Sequence, residues 1–258
     1  MVKIATWNVN SVNKRLPNLL EWLDAAAPDV ALLQELKCVE EKFPRLEIEA
    51  AGYQIAVTSQ KSYNGVAMLS RQPIEKVRIG LPGDDSDEQA RYVEGTTFGI
   101  RIAALYLPNG NPVSSEKFQY KLRWMARLRQ HAADLLLSEV PVVLGGDYNV
   151  IPTDDDVYDA IRFQDDALGR PETRREFQAL LNLGYTEAWG SLHKERHVYS
   201  YWDYFGQAFD HNNGLRIDHL LLSPQAADRL VRCEIDKEPR GKESPSDHTP
   251  VWCEISEP

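Results

Sequence analysis

The stretch that most constrains this chain is Val142-Val143-Leu144-Gly145-Gly146-Asp147-Tyr148-Asn149-Val150. Apolar, β-branched residues run into two glycines, and a carboxylate and an amide then follow two positions apart. Such a run fits a strand buried on both faces of an α/β sheet, where ligands gather at the C-terminal strand ends. Residues two apart on a strand point the same way, so Asp147 and Asn149 are expected to face one reacting group. A Gly-Gly-Asp turn without chemistry is the alternative, because both residue types favour turns for their own reasons.

At 258 residues the chain can bury a substantial core, and no linker, repeat or low-complexity segment divides it. One domain spanning 1–258 is therefore expected. With 43% apolar and 26% charged residues the composition is that of a globular protein. No apolar run approaches the roughly 18 residues of a membrane span, so no membrane partner is expected. Met1-Val2-Lys3-Ile4 leads straight into a strand-like run rather than a signal-peptide pattern. Cys38, Cys233 and Cys253 are odd in number and lack metal-type spacing, which suits reduced thiols in a cytoplasmic protein. A net charge of -10 argues against indiscriminate nucleic-acid binding. It leaves room for a local basic face, since charges act within about 8–10 Å.

In chain order, Lys3–Val9 reads as a strand, and Ser11 as the cap of a helix through about Ala26. Val30–Leu33 is a second strand, completing a βαβ unit. Tyr53–Val57, Gly65–Leu69 and Ile74–Ile79 suggest an antiparallel meander, and Tyr92–Thr97 with Ile100–Leu107 a hairpin. Ser115 to about Leu137 is the longest helical pattern, with Lys117, Lys121, Arg123, Arg127 and Arg129 on a basic face that is either solvated or phosphate-binding. After the strand at 142–146, Pro171 opens a second helix to about Leu183. Strands near 215–223, 231–235 and 251–255 close the chain. Two packed, mixed sheets with helices outside are predicted.

The strand ends carry Asn8, Glu35, Tyr106 with Asn109, Asp147 with Asn149, Asp218, and Asp247 with His248. One polar strand end is unremarkable. Six of them, bearing carboxylates, amides and a histidine, suggest one convergent site for a hard cation and a phosphate. Mg²⁺ takes oxygen ligands and is usually held by one or two carboxylates plus substrate phosphate. A zinc site needs His or Cys at spacings absent here. Phosphodiester hydrolysis asks for such a metal, a base or positioned hydroxide, and donors for the charge that builds on phosphorus.

Trp7-Asn8-Val9-Asn10-Ser11-Val12, Leu33-Gln34-Glu35-Leu36-Lys37, Asn64-Gly65-Val66-Ala67, Tyr106-Leu107-Pro108-Asn109-Gly110, Gly145-Gly146-Asp147-Tyr148-Asn149, Gly214-Leu215-Arg216-Ile217-Asp218 and Ser246-Asp247-His248 occur in that order. Together they resemble the exonuclease III family of apurinic/apyrimidinic endonucleases, within the endonuclease/exonuclease/phosphatase superfamily. The resemblance runs from Lys3 to about Ile255. It implies a four-layered α/β sandwich and Mg²⁺- or Mn²⁺-dependent cleavage 5′ to abasic sites in double-stranded DNA. It also implies 3′-to-5′ exonuclease and 3′-phosphatase activity at 3′ ends.

Carried over by position, the resemblance makes Glu35 the main metal ligand, helped by Asn8 and Asp247. Asp147 activates or positions the attacking water, and Asn149 holds the scissile phosphate. His248 contacts a phosphate oxygen, Asp218 orients and charges that imidazole, and Tyr106 and Asn109 complete the phosphate contacts. Asn10 either touches metal-bound water, on the substrate side, or caps the following helix. Tyr201 and Trp202 are the substrate-binding aromatic wall for a flipped sugar. Arg91, Lys121 and Arg174 are expected on the DNA backbone, whereas His219 is expected on the opposite strand face as a structural residue. Phe205 and Leu215 stand where some relatives carry arginine and tryptophan, which bears on how the DNA is wedged and not on the hydrolytic core. A monomer is expected, since duplex DNA needs an open face. The competing reading is a superfamily hydrolase of another phosphoester: RNA, a phosphoinositide or a phospholipid head group.

Overall fold

The computed structural model describes residues 1–257. In chain order the elements are β1 (Val2–Asn8), α1 (Leu16–Ala26), β2 (Val30–Gln34), α2 (Arg45–Ala50), β3 (Gln54–Thr58), β4 (Val66–Ser70) and β5 (Glu75–Ile79). They continue as β6 (Tyr92–Thr97), β7 (Ile100–Tyr106), α3 (Glu116–Leu136), β8 (Val142–Asp147), α4 (Ala160–Phe163), α5 (Pro171–Asn182) and β9 (Thr186–Glu187). The last are α6 (Ala188–Leu192), β10 (Asp218–Leu222), α7 (Pro224–Ala227), β11 (Leu230–Ile235) and β12 (Val251–Ile255).

Two six-stranded mixed sheets result, ordered β11-β12-β1-β2-β4-β3 and β5-β6-β7-β8-β10-β9. Their facing sides form one core in which Val2, Ile4, Val30, Leu32 and Met68 meet Ile102, Ala104, Val143, Leu220 and Leu222. Outside the first sheet, Leu19, Trp22 and Leu23 of α1 pack on Trp7 and Leu33. Outside the second, Trp124, Met125 and Leu128 of α3 and Phe177 and Leu180 of α5 pack on Leu105, Leu144 and Leu221. This is the predicted four-layered α/β sandwich, with helices on both outer faces. No helix among the described residues is long and apolar enough to cross a membrane.

Strand alternation places the polar ends. Ile4 faces the inter-sheet core, so Asn8, four residues on, shares its side. The same parity links Ile102 and Ala104 to Tyr106, Val143 to Asp147, and Leu220 and Leu222 to Asp218. Tyr106 pairs with Asp147 across the parallel β7–β8 ladder, and Asp218 pairs with Asp147 across the antiparallel β8–β10 ladder. Three functional groups therefore lie in one row at the end of the second sheet, aimed at the first. The two glycines keep the layers close. A Cβ on Gly145 would lie 2.6 Å from Leu32 Cδ1 in the opposite sheet, and one on Gly146 would lie 1.9 Å from the Leu105 carbonyl oxygen.

Two expectations need correction. The segments at 54–58 and 66–70 do pair, but Glu75–Ile79 crosses to the edge of the second sheet, so there is no three-stranded meander. Ser11 does not cap α1: its N–H donates to the Glu35 carbonyl, Val12 donates to Leu36, and Arg15 holds the cap position. That pairing fastens the Asn10-Ser11 turn to the Glu35 loop, which delays the helix to Leu16.

Candidate active site

At the open end of the sandwich, Glu35, Tyr106, Asn109, Asp147, Asn149 and His248 line a cleft of about 510 Å³, together with Asp247 and Tyr201. Asp147 sits fully buried at its floor. Its Oδ2 accepts from Asn8 Nδ2 at 2.9 Å, its Oδ1 accepts from the Asn149 N–H at 2.9 Å, and His248 Nε2 lies 3.7 Å from Oδ2. On the far side of the imidazole, His248 Nδ1 meets Asp218 Oδ2 at 2.8 Å, and the Ser200 hydroxyl donates to that same oxygen at 2.6 Å. The Tyr201 ring stands edge-on to His248, with ring centres 4.9 Å apart. The Trp7 indole donates to the His248 carbonyl at 3.2 Å and holds its backbone from behind.

Glu35 closes the opposite side. Tyr106 donates to its Oε1 at 2.8 Å and Asn8 Nδ2 donates to the same oxygen at 3.0 Å, while Lys37 Nζ lies 2.6 Å from Oε2. Glu35 and Asn149 both hold left-handed backbone, at φ 54° and 48°. In each case the strand ends one residue or two earlier and the chain turns to present the side chain to the cleft. Asn149 therefore reaches the site by this turn, not by the strand alternation expected for it.

Burial dominates the electrostatics. It raises the pKa of Asp147; the nearby imidazolium offsets part of this, while Asp218 adds to it. Burial disfavours a charged His248, but the Asp218 and Asp147 carboxylates outweigh it and carry the pKa up to about 10. Glu35 is raised by burial and lowered by more than that by the Lys37 charge and the Lys37 and Asn8 hydrogen bonds, so it stays ionised. The site thus combines a firmly ionised carboxylate, a basic carboxylate and a protonated imidazole.

The donor set suits a hard divalent cation. Carboxylate and carboxamide oxygens converge with no thiolate among them. Ligand-type atoms of Asp147, Asp218 and His248 lie within 4.8 Å of one another, but a protonated His248 has no lone pair to give a cation; the unused acceptor there is Asp218 Oδ1, buried with no hydrogen-bond partner. Opposite, Glu35 already holds one cation, the Lys37 ammonium.

Not every expected residue stands at the cleft. Trp202 does not: it is fully buried against Tyr199, Ala208 and Phe209, its indole donating to Asn212, because the chain turns Tyr201 outward and Trp202 inward. Asn8 uses Nδ2 on two carboxylates and Oδ1 on the Asn10 N–H, which makes it a strut between Glu35 and Asp147 rather than an open ligand. Asn10 donates to Asp247 Oδ1 at 2.9 Å and accepts from Lys37 at 2.6 Å, so it positions its neighbours and caps no helix. Arg174 is tied to the Ile151 carbonyl and Asp154, Arg91 lies over the Tyr106 ring, and Lys121 is wholly buried. His219 faces away, against Glu187 and Arg216, as expected. Sequence reasoning gave no role to Lys37, although it lies inside a matched segment, nor to the Ser200 and Ser246 hydroxyls. Ser246 donates to the Asn8 carbonyl at 2.6 Å and so ties the two loops together.

Residues 5–248 match the profile of the endonuclease/exonuclease/phosphatase family. Exodeoxyribonuclease III of Haemophilus influenzae is 34% identical over 266 aligned residues, covering 98% of this chain and 100% of that protein. An AP endonuclease from Archaeoglobus fulgidus superposes with a TM-score of 0.96 at 34% identity, covering 99% of this chain and 100% of the other. The 3′ phosphatase NExo from Neisseria, bound to a product DNA hairpin, also gives 0.96, at 39% identity and the same coverage. With its motifs on the strand ends of this sandwich, the chain belongs to the endonuclease/exonuclease/phosphatase family and to the exonuclease III branch within it.

Proposed function

We propose that this chain is a DNA-repair phosphodiesterase that incises duplex DNA 5′ to abasic sites and removes nucleotides and phosphate from 3′ ends. The observation that carries the reading is the cleft in which Asp147, His248 and Asp218 face Glu35, with the carboxamides of Asn109 and Asn149 beside them. The relatives support the substrate: an exodeoxyribonuclease, an AP endonuclease and a 3′ phosphatase holding DNA share nearly the whole length of this chain.

On this reading the residues divide the work as follows. Asp147 positions the attacking water and takes its proton, its raised pKa bringing it towards the range of an effective base. Protonated His248 donates to a non-bridging phosphoryl oxygen as negative charge builds there, and Asp218 keeps the imidazole charged and oriented. Asn109 and Asn149 hold the phosphate. Their amides are mutually aligned, Asn109 Nδ2 donating to Asn149 Oδ1 at 3.2 Å. Water adds to phosphorus as Asp147 takes its proton, the bond to the 3′ oxygen breaks, and that oxygen takes a proton from solvent and leaves as a hydroxyl. Glu35 with Asp247 would hold Mg²⁺ or Mn²⁺, which supplies polarisation of the phosphoryl oxygen and a nucleophile at neutral pH. Tyr106 and Asn8 fix the Glu35 carboxylate for that task. Tyr201, Leu215 and Ile217 supply the apolar wall for the sugar.

We propose further that residues 1–258 act as one catalytic domain and as a monomer, since duplex DNA needs an open face. Cytoplasmic action is supported by the three buried, free cysteines. The acidic net charge of -10 favours a second reading, hydrolysis of a different phosphoester such as RNA, a phosphoinositide or a phospholipid head group. Two labelled duplexes decide between them, one with an internal abasic analogue and one with a plain recessed 3′ end, each with Mg²⁺ and with chelator. Metal-dependent incision just 5′ of the lesion is the expected result. Inactivity on both, with turnover of a soluble phosphoester, would overturn the DNA assignment.

A further inference from the structure

Lys121 was expected on the exposed basic face of the long helix. Instead it is fully buried, in the same 3-4-3-4 stripe as Phe118, Met125, Leu128 and Ala132 of α3. Its Nζ donates to the Asn149 carbonyl at 2.6 Å and to the Asn109 carbonyl at 3.1 Å. These are the backbones of the two residues whose carboxamides meet in the cleft, one on the loop after β7 and the other on the loop after β8. We propose that Lys121 is a positioning residue, a strut from beneath that locks the two loops together and so sets both carboxamides on the scissile phosphate. The proposal rests on the phosphate-holding role given above to Asn109 and Asn149.

Three further features fit it. Asn149 has left-handed backbone at φ 48°, a conformation that costs a non-glycine residue free energy and persists only where surroundings fix it. The Lys121 bond to the Asn149 carbonyl is one restraint, beside the Asp147 bond to its N–H and the Leu107 and Asn109 bonds to its side chain. Gly110 is the clearance for the strut: a Cβ there would lie 2.6 Å from Lys121 Cδ and 3.2 Å from Ala167 Cβ, in a backbone already at φ 88°. Finally, a buried lysine is costly unless its donors are used, and this one uses them on carbonyls rather than on a carboxylate. Burial pushes its pKa down to about 7, and the amine can donate to both carbonyls in either protonation state.

A role through the two amides predicts a particular kinetic signature. Lys121→Met keeps the length and removes the donors, so kcat on the abasic duplex should fall by about a hundredfold, the scale set by small misplacements of reacting groups. KM should stay near the parent value. Combined with Asn149→Ala, the loss should not multiply, because both changes remove the same contact. Thermal melting followed by circular dichroism confirms that the variant is folded. A folded Lys121→Met with kcat within about twofold of the parent, or losses that multiply in the double variant, would overturn the proposal. Should Lys121→Met not fold, Gly110→Ala displaces the same strut with its polar atoms intact, and an equal fall in kcat is expected. Failure of both to fold would make Lys121 a folding residue and overturn the positioning role. A parent chain without incision, or an Asn149→Ala variant at parental kcat, overturns the reading beneath the proposal and the proposal with it. A slow Asn149→Ala beside an unaffected Lys121→Met overturns the proposal alone.

Discussion

Asp218→Asn separates the charge on His248 from its place in the fold. The substitution keeps the size of the side chain and an acceptor for the Ser200 hydroxyl, which lies 2.6 Å from Asp218 Oδ2. What it removes is the carboxylate 2.8 Å from His248 Nδ1. Burial then acts on the imidazolium with its nearest carboxylate gone and Asp147, Asp247 and Glu35 left to oppose it, so the pKa must fall from about 10 towards neutrality. Between the new pKa and about 10 the variant is neutral where the parent is charged. Loss of one charge-assisted donor to the phosphoryl oxygen costs about 3–4 kcal/mol of transition-state stabilisation, or roughly a hundredfold to a thousandfold in kcat.

Asp147 responds to the same change: losing Asp218 removes a carboxylate that raises its pKa, but losing the charge on His248 removes the larger influence that lowers it. The rate ratio therefore reads the charge on His248 together with its hold on Asp147, and the titration of the imidazole separates the two. Two assays read this. Nuclear magnetic resonance titration of the metal-free chain should show the His248 ring titrating well below the parent. Single-turnover incision from pH 6 to 9 should give a parent-to-variant rate ratio that grows with pH and then levels. A ratio that is flat across this range, or a variant turning over at the parental rate, would refute the assignment of His248 as a charged donor.

Gly146→Ala should abolish soluble folded protein or lower the melting temperature steeply, since its Cβ meets the Leu105 carbonyl at 1.9 Å within the β7–β8 ladder. Trp202→Ala should destabilise by about 3–5 kcal/mol in a denaturant titration, yet leave KM for the abasic duplex near the parent value. Tyr201→Ala, at the cleft, should raise that KM; the opposite pattern would return Trp202 to the site. Burial raises the pKa of Glu187, but Arg216 and His219 pull it down to about 2, so its contribution is present above the ordinary carboxylate range and lost as pH falls from about 4.5 to about 2. Acid unfolding of Glu187→Gln should therefore show a shallower loss of stability across that window than the parent does. Asn8→Ala should lower kcat without lowering DNA affinity, measured by fluorescence anisotropy with chelator present.

Much of this molecule was legible because strand alternation carries information without any long-range contact. The inward parity of Asn8, Tyr106, Asp147 and Asp218 follows from apolar residues at even offsets along the same strands, and it also sends His219 outward. Parity fails once a strand ends. Tyr201 and Trp202 lie in an irregular segment held only by isolated bridges from Tyr201 to Leu215 and His248, so nothing local says which of the two faces the cleft. Glu75–Ile79 was assigned to the wrong sheet because its partner, β6, depends on contacts that alternation cannot specify. Lys121 was misread for a different reason. Its position in the 3-4-3-4 stripe of α3 predicts burial, and its charge predicts exposure; two carbonyls without other donors settled the contest in favour of burial.

The site lies on a seam, and that explains why so much of the fold serves it. Glu35 follows β2 in the first sheet, whereas Asp147 closes β8 and Asp218 opens β10 in the second. Two carboxylates from separate sheets would repel across the gap, yet Asn8 donates one hydrogen bond to each and holds them at a fixed spacing. The spacing is then set by how closely the sheets pack, through Gly145 against Leu32 and the apolar contacts behind. Packing at the seam is consequently part of the catalytic geometry. A substitution that widens the inter-sheet core by a fraction of an ångström acts on Glu35 and Asp147 together, because Asn8 bonds both carboxylates and each lies at a strand end or one residue past it. Rigid strand ends give the chemistry its geometry, and they make that geometry sensitive to core residues remote from the substrate.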